Sequence, residues 1–162
     1  MAFALKRDDF ISAEVYLATE RTAAQRSEWN AGVIVSRAGA SQEHIDIVDN
    51  VIFGIRRRLT DRACRTAAHD LRVKTDSSYV YPDVVVTCGE RIFTDTDCLI
   101  NPLIIIEVLS PSTEKTDRGW KLTTYRSIAS VQEIVYIHLD QTLHLESLQI
   151  SIPVREIYES LI

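Results

Sequence analysis

Two carboxylates stand out in the chain, because each borders an apolar run in which an unpaired charge is costly. Glu107 closes the run Leu103-Ile-Ile-Ile106, rich in β-branched residues and bounded by Pro102 and Pro111, a pattern that predicts a strand buried on both faces. A carboxylate at its end carries a desolvation penalty of roughly several kcal/mol unless it is paired, hydrogen-bonded or bound to a cation. The bland alternatives are a strand that ends one residue earlier, leaving Glu107 solvated, or a simple ion pair with an arginine. Upstream, Asp83 follows Pro82 in a second β-rich run, Tyr79 to Thr87, and Pro is tolerated at a strand entrance, where its missing N–H breaks no ladder bond. Two neighbouring strands that each present one carboxylate at a sheet edge would make a doubly negative site of hard oxygen ligands. Such a site suits Mg²⁺ or Mn²⁺, which can activate water and neutralise charge on a phosphoryl group.

Several elements must position that pair. Ser12 caps an expected short helix from Ala13 to about Glu20, with Val15, Tyr16 and Leu17 packing on the body. Residues Trp29 to Val35 alternate around the turn signal Asn30-Ala-Gly32 and predict a small hairpin, with Glu28 solvated at its start. Ser41 caps the next helix, where Ile45, Val48, Ile52, Ile55 and Leu59 form one apolar stripe. Arg56, Arg57 and Arg58 complement the macrodipole in its last turn. Together with Arg62, Arg65, Arg72 and Lys74 they could instead form a basic surface for a nucleic acid. His44, in the first turn, is a candidate for the rim of a site.

Residues Arg62 to Lys74 read as weakly strand-like, Thr75-Asp-Ser-Ser78 as a turn, and Asp95 and Asp97 as solvated loop residues. After Pro111 the chain enters a helix carrying Trp120, Lys121, Tyr125 and Ile128, whose start Gly119 weakens by about 1 kcal/mol. Val131 to Leu139 is a further strand and Leu143 to Leu148 an antiparallel edge strand, with His138 and His144 exposed. Pro153 opens a last helix that packs Val154, Ile157, Tyr158 and Leu161 inward. Helices flanking a mixed central sheet define an α/β domain.

The 162 residues, 46% of them hydrophobic, suffice for one domain over residues 1–162. The apolar runs are too short to span a bilayer, and the N-terminus lacks the order of a signal peptide, so a cytoplasmic location without membrane association is expected. Cys64, Cys88 and Cys98 show neither a disulfide framework nor zinc-ligand spacing and are expected as small buried hydrophobes. A formal charge of −5 argues against holding nucleic acid by bulk electrostatics, so any such contact is local or metal-mediated. Gly-rich phosphate loops, Ser-His-Asp motifs and dinucleotide fingerprints are missing from the sequence.

The ordered set Ser12-Ala-Glu-Val-Tyr-Leu17, Glu28-Trp-Asn-Ala-Gly32, Ser41-Gln-Glu-His44, Pro82-Asp83, Glu107-Val-Leu-Ser-Pro-Ser-Thr113, Asp117 with Lys121 and Tyr125, and Ile152-Pro-Val-Arg-Glu-Ile-Tyr158 spans nearly the whole chain. It resembles the Uma-two family of bacterial endonucleases, a domain of unknown function within the PD-(D/E)XK superfamily. The resemblance implies a restriction-endonuclease-like core and an Mg²⁺- or Mn²⁺-dependent endonuclease acting on phosphodiesters, with DNA as partner. It implies Asp83 and Glu107 as catalytic metal ligands, the backbone carbonyl of Val108 as a further ligand, and Lys121 as the cation that orients water and stabilises phosphate charge, with Lys115 as fallback. Leu109 departs from the superfamily's lysine, Ala31 and Val33 replace acidic residues that the family often carries, and Glu28, read above as solvated, could reach the site in the family's pattern. The rival readings are a module that keeps the fold without cleaving, serving nucleic-acid or protein binding, and a nucleotide hydrolase on the same carboxylates. A homodimer is compatible with either assignment.

Overall fold

The computed structural model describes residues 10–60, 62–137 and 143–158. Its architecture is mixed α/β, as expected, but the strands divide among three sheets rather than one. Strand β9 (Ile104–Val108) runs antiparallel to β6 (Val84–Cys88) and parallel to β10 (Glu133–Ile137), and β3 (Cys64–Ala68) completes the order β10-β9-β6-β3. Every residue of β9 is buried, which accounts for its unbroken apolar run. One face, through Val84, Val86, Ile104 and Ile106, packs on Val48, Val51 and Ile55 of helix α2 (Gln42–Arg58). The other, through Val85 and Ile105, packs on Val73, Val80, Leu99 and Tyr125. Truncating Ile105 to Ala would therefore cost about 2–5 kcal/mol.

The second sheet has the order β2-β1-β5-β4-β8-β7. Its hairpin joins β1 (Ser27–Asn30) to β2 (Val33–Ser36) through Ala31 and Gly32, both at positive φ (47° and 96°), the left-handed pair that a tight hairpin turn demands. Strands β4 (Arg72–Lys74), β5 (Ser78–Val80), β7 (Phe93–Thr94) and β8 (Cys98–Leu99) fill the rest. A third, two-stranded sheet pairs β11 (Leu143–Leu145) with β12 (Ile150–Ile152), so Leu143 to Leu148 does not extend the main sheet. Helix α1 (Ala13–Glu20) starts at Ser12, whose hydroxyl accepts the Val15 N–H. Among the described residues no helix is long and apolar enough to cross a membrane.

Several expectations are corrected. Tyr79 to Thr87 is not one strand: Pro82, without an N–H, interrupts the ladder, and the chain passes from the six-stranded sheet to the four-stranded one at Tyr81-Pro82-Asp83. Arg62 to Lys74 is likewise two strands in two sheets. Val15 faces solvent at 57% exposure, while Tyr16 and Leu17 are buried. The β3–β6 register sets Cys64 opposite Cys88 and the two form a disulfide, which leaves Cys98 as the buried free thiol. Their wide sequence separation gave no sign of this, because sheet register rather than local spacing brings them together. The expectations for His138, the strand's end at Leu139, Leu161 and the side chains of Val154 and Tyr158 fall outside the described residues.

Candidate active site

The pairing of Val84 with Ile106 in the β6–β9 ladder puts Asp83, just before β6, across from Glu107. The Asp83 N–H donates to Glu107 Oε2 at 3.2 Å, and the Val108 N–H donates to Asp83 Oδ2 at 2.8 Å. Both side chains are buried, Glu107 to 2% exposure. From the first turn of α2, His44 Nε2 meets Asp83 Oδ1 at 3.0 Å. Its imidazole is thus part of the cluster rather than a distant rim residue.

Lys121 reaches the same place from beyond β9. Helix α3 (Glu114–Thr116) leads into a kinked segment, Asp117–Lys121, followed by α4 (Leu122–Arg126). Gly119 leaves helical geometry inside that segment, in line with the irregular start its low helix propensity suggests. The Tyr136 hydroxyl holds the bend by donating to the Asp117 carbonyl at 2.7 Å. Lys121 Nζ then lies 2.7 Å from Glu107 Oε1, 3.1 Å from Asp117 Oδ1 and 3.5 Å from Glu28 Oε1. The Tyr125 hydroxyl also donates to Glu107 Oε1. Lys115, by contrast, is exposed and takes no part.

Glu28 corrects the expectation of a solvated strand end. It is 4% exposed, because β1 is flanked by β2 and β5, and it accepts the Tyr81 N–H at 2.8 Å. Beyond the resemblance, no local pattern marks it: its burial follows from the strand order of a sheet assembled over long range. The proposed basic surface does not assemble as a whole either. Arg72 is buried against Tyr81 and Asp97, Lys74 pairs with Asp95, and Arg57 and Arg58 pair with Glu156. Asp95 and Asp97 are accordingly ion-paired, not simply solvated.

Four carboxylates, Glu28, Asp83, Glu107 and Asp117, therefore converge on one ammonium and one imidazole. Burial, joined by the charges of Asp83 and Asp117, pushes Glu107 above the ordinary carboxylate range even with Lys121 beside it. For Lys121 burial works the other way, yet Glu107, then Tyr125, Glu28 and Asp117, outweigh it and hold the ammonium protonated. Burial would also raise Asp83, but the bond to His44 and the Val108 N–H keep it low. His44 is raised in turn, chiefly by its bond to Asp83. The cluster forms the floor of a cleft of ≈ 750 Å³ whose walls include Arg37, Ser41, His69 and Ser112. Among the described residues no three His, Cys, Asp or Glu side chains make a ready-formed metal cage.

Comparison with known proteins identifies the family and the fold. Residues 13–150 match the Uma2 family, described as putative restriction endonuclease. An uncharacterized protein of Synechocystis sp. is 36% identical over 135 residues, 81% of this chain and 75% of the relative, and a second is 31% identical over 129 residues, 78% and 68% of the respective lengths. A putative nuclease from Anabaena variabilis shares the fold, with a TM-score of 0.71 at 17% identity over 94% of this chain and 99% of that one. With most of its length matched by the family and by relatives above 30% identity, the chain belongs to the Uma2 family of putative restriction endonucleases.

Proposed function

We propose that this chain hydrolyses phosphodiester bonds with a bound Mg²⁺ or Mn²⁺, and that its substrate is DNA. The observation that carries the reading is the apposition of Asp83 and Glu107 at the ends of paired strands, with Lys121 Nζ 2.7 Å from Glu107 at the floor of an open cleft. The donor set fits a hard divalent cation. Such an ion binds through one or two carboxylates and keeps several waters, so it needs no cage of three side chains. The surplus of carboxylates, and the upward push on Glu107 that it contributes to, are what a divalent charge would relieve.

Asp83, Glu107 and the carbonyl of Val108 would hold the ion. When bound, it supplies Lewis-acid stabilisation of phosphoryl charge and a more acidic water. The chain's own residues do the rest. His44 and the Val108 N–H fix the Asp83 carboxylate, and Tyr125 fixes that of Glu107. Lys121, held protonated, orients the attacking water and offsets the charge that develops on the phosphate oxygens. Glu28 and Asp117 keep the ammonium in place, since the bend at Gly119 alone would not aim a flexible stem.

The test is Glu107→Gln, which keeps shape and removes the charge a hard cation needs. Parent protein with Mn²⁺ should nick plasmid DNA, whereas the variant should neither cut DNA nor bind Mg²⁺ or Mn²⁺ by calorimetry, at an unchanged circular-dichroism spectrum. Unaltered cation affinity in the variant would remove Glu107 from the site. One observation favours a second reading, a module that binds without cutting: position 109, where the superfamily has its lysine, carries a half-buried Leu. Cation binding without any cleavage would support it.

A further inference from the structure

A second convergence of like charge lies away from the cleft. Strand β3 pairs only with β6 among the described strands, so it is the edge of the four-stranded sheet and its outward carbonyls lack a strand partner. Two arginines from different elements reach one of them, the Thr66 carbonyl: Arg56 Nη2 of α2 at 3.3 Å and Arg91 Nη2 at 3.4 Å. Arg56 Nε also donates to the Thr66 hydroxyl at 2.6 Å, and Arg91 Nε to the Thr87 hydroxyl at 3.0 Å. Arg65, opposite Thr87 in the ladder, projects on the Thr87 side and is exposed. Among the described residues none of the three guanidiniums has a carboxylate partner, whereas Arg58 and Arg72 each have one. Desolvation and the charges of Arg65 and Arg56 all bear down on Arg91 and lower its proton affinity, the mark of a cationic cluster without a counter-charge.

We propose that Arg56, Arg65 and Arg91 form a non-catalytic phosphate-binding site that grips the backbone of the nucleic-acid substrate at a distance from the cleft. The inference rests on the nuclease reading and deepens it. Guanidiniums present forked donors that match phosphate oxygens, and a bound phosphate would relieve the mutual repulsion of the three. Thr66 and Thr87 pre-order two of the forks, leaving further N–H groups for an anion.

The edge of β3 joins the two sites. The strand runs from Arg65 through the small residues Ala67 and Ala68 to His69, which lines the cleft and whose N–H donates to the Asp83 carbonyl. Thr87 lies four positions along β6 from Asp83, about 13 Å at the strand rise, or roughly four nucleotide steps of duplex. A substrate must exceed that length to engage both sites. A chain of net charge −5 needs such a local foothold.

The experiment uses the full chain and two probes, a fluorescein-labelled duplex of about 20 base pairs and the small diester bis(p-nitrophenyl) phosphate. Arg65→Glu is the first variant, since among the described residues Arg65 makes no side-chain hydrogen bond that folding would miss; Arg91→Ala is the second, and thermal melting confirms that each folds. The proposal expects duplex affinity to fall about tenfold and the salt slope of log K to flatten by about 0.9 for each phosphate no longer neutralised, with hydrolysis of the small diester unchanged. Arg65→Lys should keep most of the affinity. Equal duplex affinity and slope in parent and Arg65→Glu, with the parent cutting DNA, would overturn this inference and leave the nuclease reading standing. Calorimetry with pyrophosphate separates a free-anion site: binding lost in Arg65→Glu while duplex affinity is untouched overturns the proposal too. A parent that neither binds nor cuts nucleic acid defeats the nuclease reading and this site with it.

Discussion

Two polar clusters, each centred on a buried cation, lie a few residues apart, and they are built on opposite principles. In the first, Arg72, 4% exposed, donates to the Tyr81 hydroxyl at 3.0 and 2.7 Å and to Asp97 at 2.9 Å. Tyr81 passes a proton donor on to Glu20, which also accepts from the Ser27 N–H and hydroxyl, and Arg21 closes the chain on Asp97. Two guanidiniums face two carboxylates. In the second, four carboxylates face one ammonium and one imidazole, and the group opens on a cleft. Tyr81 touches both, its hydroxyl in the balanced cluster and its backbone N–H on Glu28 of the unbalanced one. Matched charge fastens α1, β1, β4 and the Asp97 loop together; mismatched charge leaves a demand that only a ligand meets.

The comparison can be broken at several points. Arg72→Ala should have the largest effect, about 3–5 kcal/mol of stability, because it empties a buried site and removes the donors held by the Tyr81 hydroxyl and Asp97; a melting temperature lowered by roughly 10 °C or more is the expected readout. Lys121→Ala should reduce Mn²⁺-dependent cleavage by about 10²-fold, some 2.7 kcal/mol of transition-state stabilisation, measured at a temperature where circular dichroism shows the variant folded. A variant as active as the parent would separate Lys121 from the chemistry. Tyr81→Phe sharpens the contrast: stability should fall by about 1–3 kcal/mol, with kcat nearly intact, since Glu28 is held by the backbone N–H rather than the ring hydroxyl.

The smallest effect concerns acid. Burial would raise Asp97, but Arg21 and Arg72 hold its carboxyl below the usual range. A depressed folded value means that its contribution is present above the unfolded pKa, about 3.9, and is lost as pH falls through the folded one. At 44% side-chain exposure solvent screening keeps that contribution under about 1 kcal/mol. Asp97→Asn should therefore flatten the acid limb of a stability profile without moving the plateau by more than this; an unchanged limb would show the pair to be silent.

What could be read ahead of the structure was local. Ser12 and Ser41 announce their helices by capping, the spacing of Val48, Ile55 and Leu59 announces the buried face of α2, and Ala31-Gly32 announces the hairpin turn. The closeness of Asp83 and Glu107 was legible because two proline-marked apolar runs each carry one acid. The rest depends on register and sheet order, which no short window encodes: the bond between Cys64 and Cys88, the change of sheet at Pro82, and the burial of Glu28 in the middle of a sheet. The row of basic residues from Arg56 to Lys74 misled in part for the same reason, since Arg57, Arg58, Arg72 and Lys74 part to different elements and find separate carboxylates, while Arg56 and Arg65 stay together.

The kink at Gly119, between Asp117 and Lys121, has a genetic consequence. The break falls at Gly119, whose backbone (φ −90°, ψ −119°) leaves helical geometry between two helical pieces and where an added Cβ meets nothing within 4 Å. Loss of that single codon would shorten the link between the two pieces by one residue, a change of register equal to about 100° of helical rotation. The Tyr136 grip on Asp117 and the reach of Lys121 to Glu107 could not both survive. An in-frame deletion of this one exposed glycine would thus separate lineages that retain the ammonium in the cluster from lineages that have lost it.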